Sequence, residues 1–136
     1  YFNAEMVICD KHRKRANEIA SMVVIGDVTG KDIVIVDDIC DTGGTLVKAA
    51  ALLKEKGAKT VRAMITHPVL SGKAYENIEN SVLEELVVCD TIPLAHPSAK
   101  IKVVTVADLF AIAIRNAYEN KSITSLFVHS QLKARG

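Results

Sequence analysis

The sequence lacks a charge imbalance: 17 Lys and Arg stand against 16 Asp and Glu, for a net charge of +1. A chain without a global field has no general attraction for nucleic acid or an anionic membrane surface, so any affinity for anions has to be local. It also lacks a CxxC pair or any clustered Cys/His spacing, since Cys9, Cys40 and Cys89 are far apart. That argues against a zinc site. An odd number of thiols in or beside apolar strand-like runs suits reduced, buried cysteines in a cytoplasmic protein rather than a disulfide framework. No apolar run approaches the ~18 residues of a membrane span, and no charged-then-apolar signal segment opens the chain. Internal repeats, low-complexity tracts and linkers are missing too, which leaves one globular unit of 136 residues with 49% hydrophobic content, enough for a buried core. Position 1 is Tyr rather than Met, and Met6-Val7-Ile8-Cys9 reads as a strand already under way, so the start reads as a cut end and the chain as a fragment.

What the chain does have is one dense stretch from Val34 to Thr45. The apolar run Val34-Ile35-Val36 reads as a buried strand, Asp37 and Asp38 follow it, and Asp41-Thr42-Gly43-Gly44-Thr45 opens a helix. Between a strand's C-terminal end and a helix's first turn, unpaired backbone N–H groups and the positive end of the helix dipole share one space. That space suits a phosphate. Gly43 and Gly44 remove the Cβ atoms that would hold an anion away, and the Thr42 and Thr45 hydroxyls can donate further hydrogen bonds. Neither GxxxxGK[ST] nor GxGxxG is present, so the nucleoside-triphosphate loop and the dinucleotide fingerprint do not apply. A carboxylate beside a bound phosphate repels it unless it serves another part of the ligand. Ionised Asp is an acceptor only, suited to sugar hydroxyls or to Mg²⁺. Together these groups describe a site for a phosphorylated sugar. The blander reading, Asp37 and Asp38 ending a strand and Asp41 with Thr42 capping a helix, accounts for one such Asp more easily than for the whole cluster.

Around this stretch the pattern alternates between strands and helices. Met22–Ile25 and Ile33–Val36 flank Gly26–Lys31 and read as a hairpin or adjacent strands. Leu46, Ala49, Ala50 and Leu53 fall on one helical face, with Gly57 where a C-terminal cap belongs. Thr60–Thr66 reads as the next strand, which completes a βαβ unit of a parallel sheet. A short helix around Lys73–Asn80, strands at Leu86–Cys89 and Ile101–Val104, and a loop marked by Pro93 and Pro97 follow. Thr105 with Asp108 resembles a helix-start box, and Phe110, Ala113, Ile114 and Ala117 repeat at helical spacing in a helix ending near Asn120. The fold class is α/β, with a mainly parallel sheet flanked by helices and the site at the strands' C-terminal edge. His67 reads as structural, and Lys11–Arg15, taken alone, as a solvated charge run.

The run from Val36 to Thr45 resembles the phosphoribosyl-pyrophosphate binding motif of type I phosphoribosyltransferases, in the form found in the ribose-phosphate pyrophosphokinase family. Three further stretches resemble that family: Asp10-Lys11-His12-Arg13 its catalytic flexible loop, Thr66–Gly72 a characteristic segment, and Ser122–Phe127 its effector-site segment. The resemblance covers nearly the whole chain. It implies a type I phosphoribosyltransferase-like fold and, in the whole protein, Mg²⁺-dependent transfer of the diphosphoryl group of ATP to the 1-hydroxyl of ribose 5-phosphate. By the same resemblance Asp41, Thr42, Gly43, Gly44 and Thr45 hold the 5-phosphate, Asp37 and Asp38 accept from the ribose 2- and 3-hydroxyls, and Lys11 and Arg13 are the catalytic cations. Ser122, Thr124, Ser125 and Phe127 belong to a site for phosphate or ADP as effectors, and the active form is a homo-oligomer. No metal ligand is assigned. Residues 1–136 match a single C-terminal domain without its first strand–helix segment and without the N-terminal domain, where the ATP pocket mostly lies. The fragment alone is therefore expected to bind ribose 5-phosphate, or a bare phosphate or sulfate, weakly and to make no product. The rivals are a non-catalytic regulatory homologue, a salvage phosphoribosyltransferase, which would need a base-recognition hood not found here, and, more distantly, a receiver-like signalling domain.

Overall fold

The computed structural model describes residues 5–12 and 21–127. The chain divides after Val103 into two compact units, each taken by itself below.

In the first unit, β1 (Ile8–His12) and β2 (Ser21–Ile25) form an antiparallel pair with Ile8 opposite Ile25 and His12 opposite Ser21. A four-stranded sheet follows, built from β3 (Asp32–Cys40), β4 (Thr60–Pro68), β5 (Glu85–Cys89) and β6 (Ile101–Val104), in that spatial order. β3 with β4 and β4 with β5 run parallel, connected by α1 (Gly44–Glu55) and α2 (Ala74–Glu79). The parallel sheet expected from the sequence is thus present. The expected pairing of Met22–Ile25 with Ile33–Val36 is not: β2 pairs with β1. The reason lies in the connection. Lys31 N–H does close a turn on the Val28 carbonyl, but Gly30 N–H donates to the Gly57 carbonyl and Lys59 N–H to that of Lys31. These bonds tie the turn to the end of α1, so β3 sets out beside β4.

The helical face Leu46, Ala49, Ala50 and Leu53 is buried as its spacing requires. Leu46, Ala50 and Leu53 join a core with Val61, Ala63 and Ile65 of β4 and Leu86 and Val88 of β5, every second residue of each strand. α1 ends in a Schellman motif, in which Gly57 N–H donates to the Lys54 carbonyl and Ala58 N–H to that of Leu53. Gly57 occupies the left-handed region at φ 93°. Gly57→Ala is therefore expected to cost about 1 to 2 kcal/mol of stability, read as a lower urea midpoint at unchanged m-value. The opposite sheet face is different: Val34, Val36 and Met64 are exposed, Val36 by 73%. The run Val34–Val36, read from sequence as buried, is half-buried only at Ile35.

In the second unit, α3 (Ala107–Tyr118) follows Val106. The expected start box is displaced by one residue: Thr105 Oγ1 accepts from Ala107 N–H at 3.2 Å, a local turn bond, and Val106 takes the cap position. The second Schellman motif is closed by Asn120 at φ 55°, with Asn120 N–H on the Ala117 carbonyl and Lys121 N–H on that of Asn116. None of the helix's apolar residues is fully buried. Leu109, Phe110 and Ala113 line a cavity of about 230 Å³ with Ile123, Leu126 and Phe127, the last beside a 3₁₀ turn over Thr124–Leu126. Among the described residues no helix is long and apolar enough to cross a membrane.

Candidate functional site

β3 ends at Cys40 and α1 begins at Gly44, and the four residues between strand and helix turn the chain through the C-terminal edge of the sheet. Gly43 sits in the left-handed region at φ 72°, and its carbonyl accepts the first helical bond, from Val47 N–H at 3.0 Å. A residue with a Cβ is strained in that conformation, which explains this glycine without reference to a ligand. Gly44 is different: it begins the helix, and a Cβ there would meet only the Thr42 hydroxyl at 3.7 Å.

A cleft of about 390 Å³, a size typical of small-molecule sites, is lined by Asp37, Ile39–Leu46 and Ile65. The structure therefore brings together six of the seven residues expected to hold the sugar phosphate: Asp37, Asp41, Thr42, Gly43, Gly44 and Thr45. Asp38 does not line it. Neighbours on a strand face opposite ways, and Asp37 has the parity of the core-facing Ile33 and Ile35. Asp37 Oδ1 also accepts from Asp38 N–H at 2.9 Å. Among the described residues, the only charged groups on the cleft wall are carboxylates, at Asp37 and Asp41. Among the described residues, attraction for an anion thus rests on backbone N–H groups and the N-terminal end of the 12-residue α1.

Sequence reading missed the apolar wall, Ile39, Cys40, Leu46 and Ile65, and the groups that hold the loop from behind. Ser71 donates its hydroxyl to the Asp41 carboxylate and its N–H to the Asp41 carbonyl at 3.1 Å. Leu70 N–H donates to the Cys40 carbonyl at 3.1 Å, and the Asn77 amide to that of Thr42 at 2.9 Å. These donors come from thirty or more residues away, and no local spacing signals them. Cys40 is buried, which pushes its thiol pKa up; the Gly43 N–H acts against this, and Asp37 and Asp41 add to it. Cys89 is half-buried, but Cys9, expected to be buried, is exposed on β1.

The family model described as the phosphoribosyl synthetase-associated domain matches residues 5–128, nearly the whole chain and all of the cleft. The chain belongs to this family. It is 56% identical over 128 residues to a ribose-phosphate pyrophosphokinase of Campylobacter jejuni, covering 94% of this chain and 41% of that protein. A ribose-phosphate pyrophosphokinase of Wolinella succinogenes is 56% identical over 124 residues, covering 91% and 40%. Among solved structures, the phosphoribosylpyrophosphate synthetase from Mycobacterium smegmatis superposes with a TM-score of 0.73 at 37% identity, over 82% of this chain and 37% of that one. The chain thus spans about two fifths of the length of the curated relatives it matches.

The family's other expected site residues are placed unevenly. Lys11 belongs to β1, and Arg13 lies outside the described residues. Ser122, Thr124, Ser125 and Phe127 lie in the second unit. There the Ser122 hydroxyl donates to Thr124 Oγ1 at 2.9 Å and accepts from Thr124 N–H at 3.1 Å, so two of the three polar groups are spent on a local turn. Phe127 turns to the apolar cavity instead.

Proposed function

We propose that the cleft binds ribose 5-phosphate and supplies the acceptor half of an active site. The whole protein would there transfer the diphosphoryl group of ATP to the sugar's 1-hydroxyl. The observation that carries this reading is the division of one cleft between a donor end, the Asp41–Thr45 loop at the start of α1, and an acceptor end at Asp37. A phosphate with a polyhydroxylated tail matches both ends; phosphate alone or sugar alone matches one. The ribose-phosphate pyrophosphokinases and the synthetase structure it resembles support the same choice. Lys11 and Arg13 would stabilise charge on the transferring group, as positioned cations do in phosphoryl transfer.

Among the described residues no group of three or more His, Cys, Asp or Glu could hold a metal by itself. The Asp37 carboxylate on the cleft wall would fit Mg²⁺ only in the manner usual for that ion, one or two protein oxygens completed by ligand oxygens and water. When bound, the ion would neutralise charge on the phosphates. What the chain's own residues do is bind and orient the acceptor.

Calorimetric titration of the chain tests the proposal. Ribose 5-phosphate is expected to bind at least about tenfold more tightly than either inorganic phosphate or ribose, since each of these engages one end of the cleft. Equal affinity for ribose 5-phosphate and phosphate would show that the acidic end plays no part. With ATP and Mg²⁺ added, no AMP is expected from this chain alone, and AMP release at the rate of a full-length relative would overturn the assignment of a half site.

A further inference from the structure

The loop between β3 and α1 is held on one side by three donors, and the consequence lies on its other side. The carbonyls of Cys40, Asp41 and Thr42 are consecutive, and each is taken: by Leu70 N–H, by Ser71 N–H and by the Asn77 side-chain amide. Every peptide bond among the described residues is trans, so a carbonyl and the N–H that shares its plane point in opposite directions. Fixing the Cys40 and Asp41 carbonyls backward therefore turns the Asp41 and Thr42 N–H groups the other way. Fixing the Thr42 carbonyl turns the Gly43 N–H inward, where it meets the Cys40 sulfur. Successive N–H groups gathered on one side of a turn make an anion-binding concavity.

The holding segment carries its own sign of constraint. Leu70, buried and without the licence of a glycine, stands at φ 47°, a left-handed conformation that costs of order 1 kcal/mol and persists only where surrounding contacts impose it. Asn77 is half-buried on the short helix α2, directed at the loop rather than at solvent.

We infer that Asn77 and Ser71 are positioning residues for the phosphate end of the cleft. By holding the loop's carbonyls and, through the Ser71 hydroxyl, the Asp41 carboxylate away from the ligand, they keep its inner face rich in donors and selective for anions. They act through the loop and need not touch the ligand. The inference rests on the ribose 5-phosphate reading for the identity of the anion, but not for the ordering of the loop.

The test compares the wild-type chain with Asn77→Leu, which keeps the bulk and removes the donor, and with Ser71→Ala, which removes only the hydroxyl bond to Asp41. Asn77→Leu is expected to weaken ribose 5-phosphate and inorganic phosphate by the same factor, about tenfold, because only the phosphate end is disturbed. In the ligand-free state, ¹⁵N relaxation should show the Gly43 amide, which shares its peptide plane with the Thr42 carbonyl, rigid in the wild type and mobile in the variant, with the thermal midpoint nearly unchanged. Unchanged affinity together with a rigid amide would overturn the inference. If Asn77→Leu does not fold, Ser71→Ala carries the test, with a loss of about threefold expected and equal affinity counting against it. If the wild type binds neither ligand, the ribose 5-phosphate reading fails. Amide order in Asn77→Leu still decides about the clasp: its loss supports the inference and its persistence overturns it.

Discussion

Replacing Leu53 by alanine is expected to lower the unfolding free energy by about 3 to 5 kcal/mol, the largest single effect anticipated in the first unit. Leu53 is 1% exposed, and its place in the fold explains why the loss would be near the upper end for a truncated leucine. It belongs to the core that unites α1 with β4 and β5, and its carbonyl receives the Ala58 N–H that closes the helix. The cavity left behind would sit where the helix end and the start of β4 are fixed to each other, so the site can collapse little. Val36 is the control. It lies on β3, on the sheet face away from that core, and is 73% exposed, so Val36→Ala should cost no more than about 0.5 kcal/mol. Urea denaturation of both variants checks the pair. Similar costs at the two positions would mean that the outer sheet face is covered in solution.

The second large effect separates two glycines that look alike in sequence. Gly44→Val is expected to reduce ribose 5-phosphate affinity by at least about tenfold while leaving stability unchanged or slightly improved. Gly44 is a helical residue, Val has the better helix propensity, and the added Cβ has only the Thr42 hydroxyl nearby, at 3.7 Å. The side chain would project from the first turn of α1 at the cleft, where an anion needs to approach the backbone. Gly43→Ala should behave in the opposite sense, costing about 1 to 2 kcal/mol of stability through its left-handed φ of 72°. Calorimetric titration and thermal unfolding of the two variants give the comparison. A Gly44→Val chain that still binds with wild-type affinity would remove the loop from the ligand site.

These contrasts indicate what can be read from the residues and what cannot. The alternation of strand and helix from Ile33 to Cys89 was legible because each period is carried by residues that end up buried, such as Leu46, Ala50 and Leu53 on α1. The cleft was legible because its donors and acceptors are contiguous, from Asp37 to Thr45. Asp38 was misplaced beside its neighbour because composition records two adjacent carboxylates but not the strand parity that sends them to opposite faces. β2 was paired with the wrong strand because the bonds from Gly30 and Lys59 that settle the matter join it to the end of a helix 25 or more residues distant. The same holds for Asn77 and Ser71, whose partners lie across the sheet edge. The exposure of Val34 and Val36 had no signal either, since an apolar run reads the same whether one face or both are covered.

The spatial order of the sheet also governs the path by which it assembles. β3, β4 and β5 lie side by side in the order in which they occur along the chain. Asp32 pairs with Thr60 and Arg62 with Glu85, so each new ladder closes a loop of roughly 25 residues rather than one spanning the domain. Parallel sheets are slow to form when distant strands must find each other, and this one never has to wait for a distant strand. Once α1 docks on β4, each later strand adds to an edge that already exists. The rate-limiting event would then be the first closure, at the strand pair that also frames the cleft.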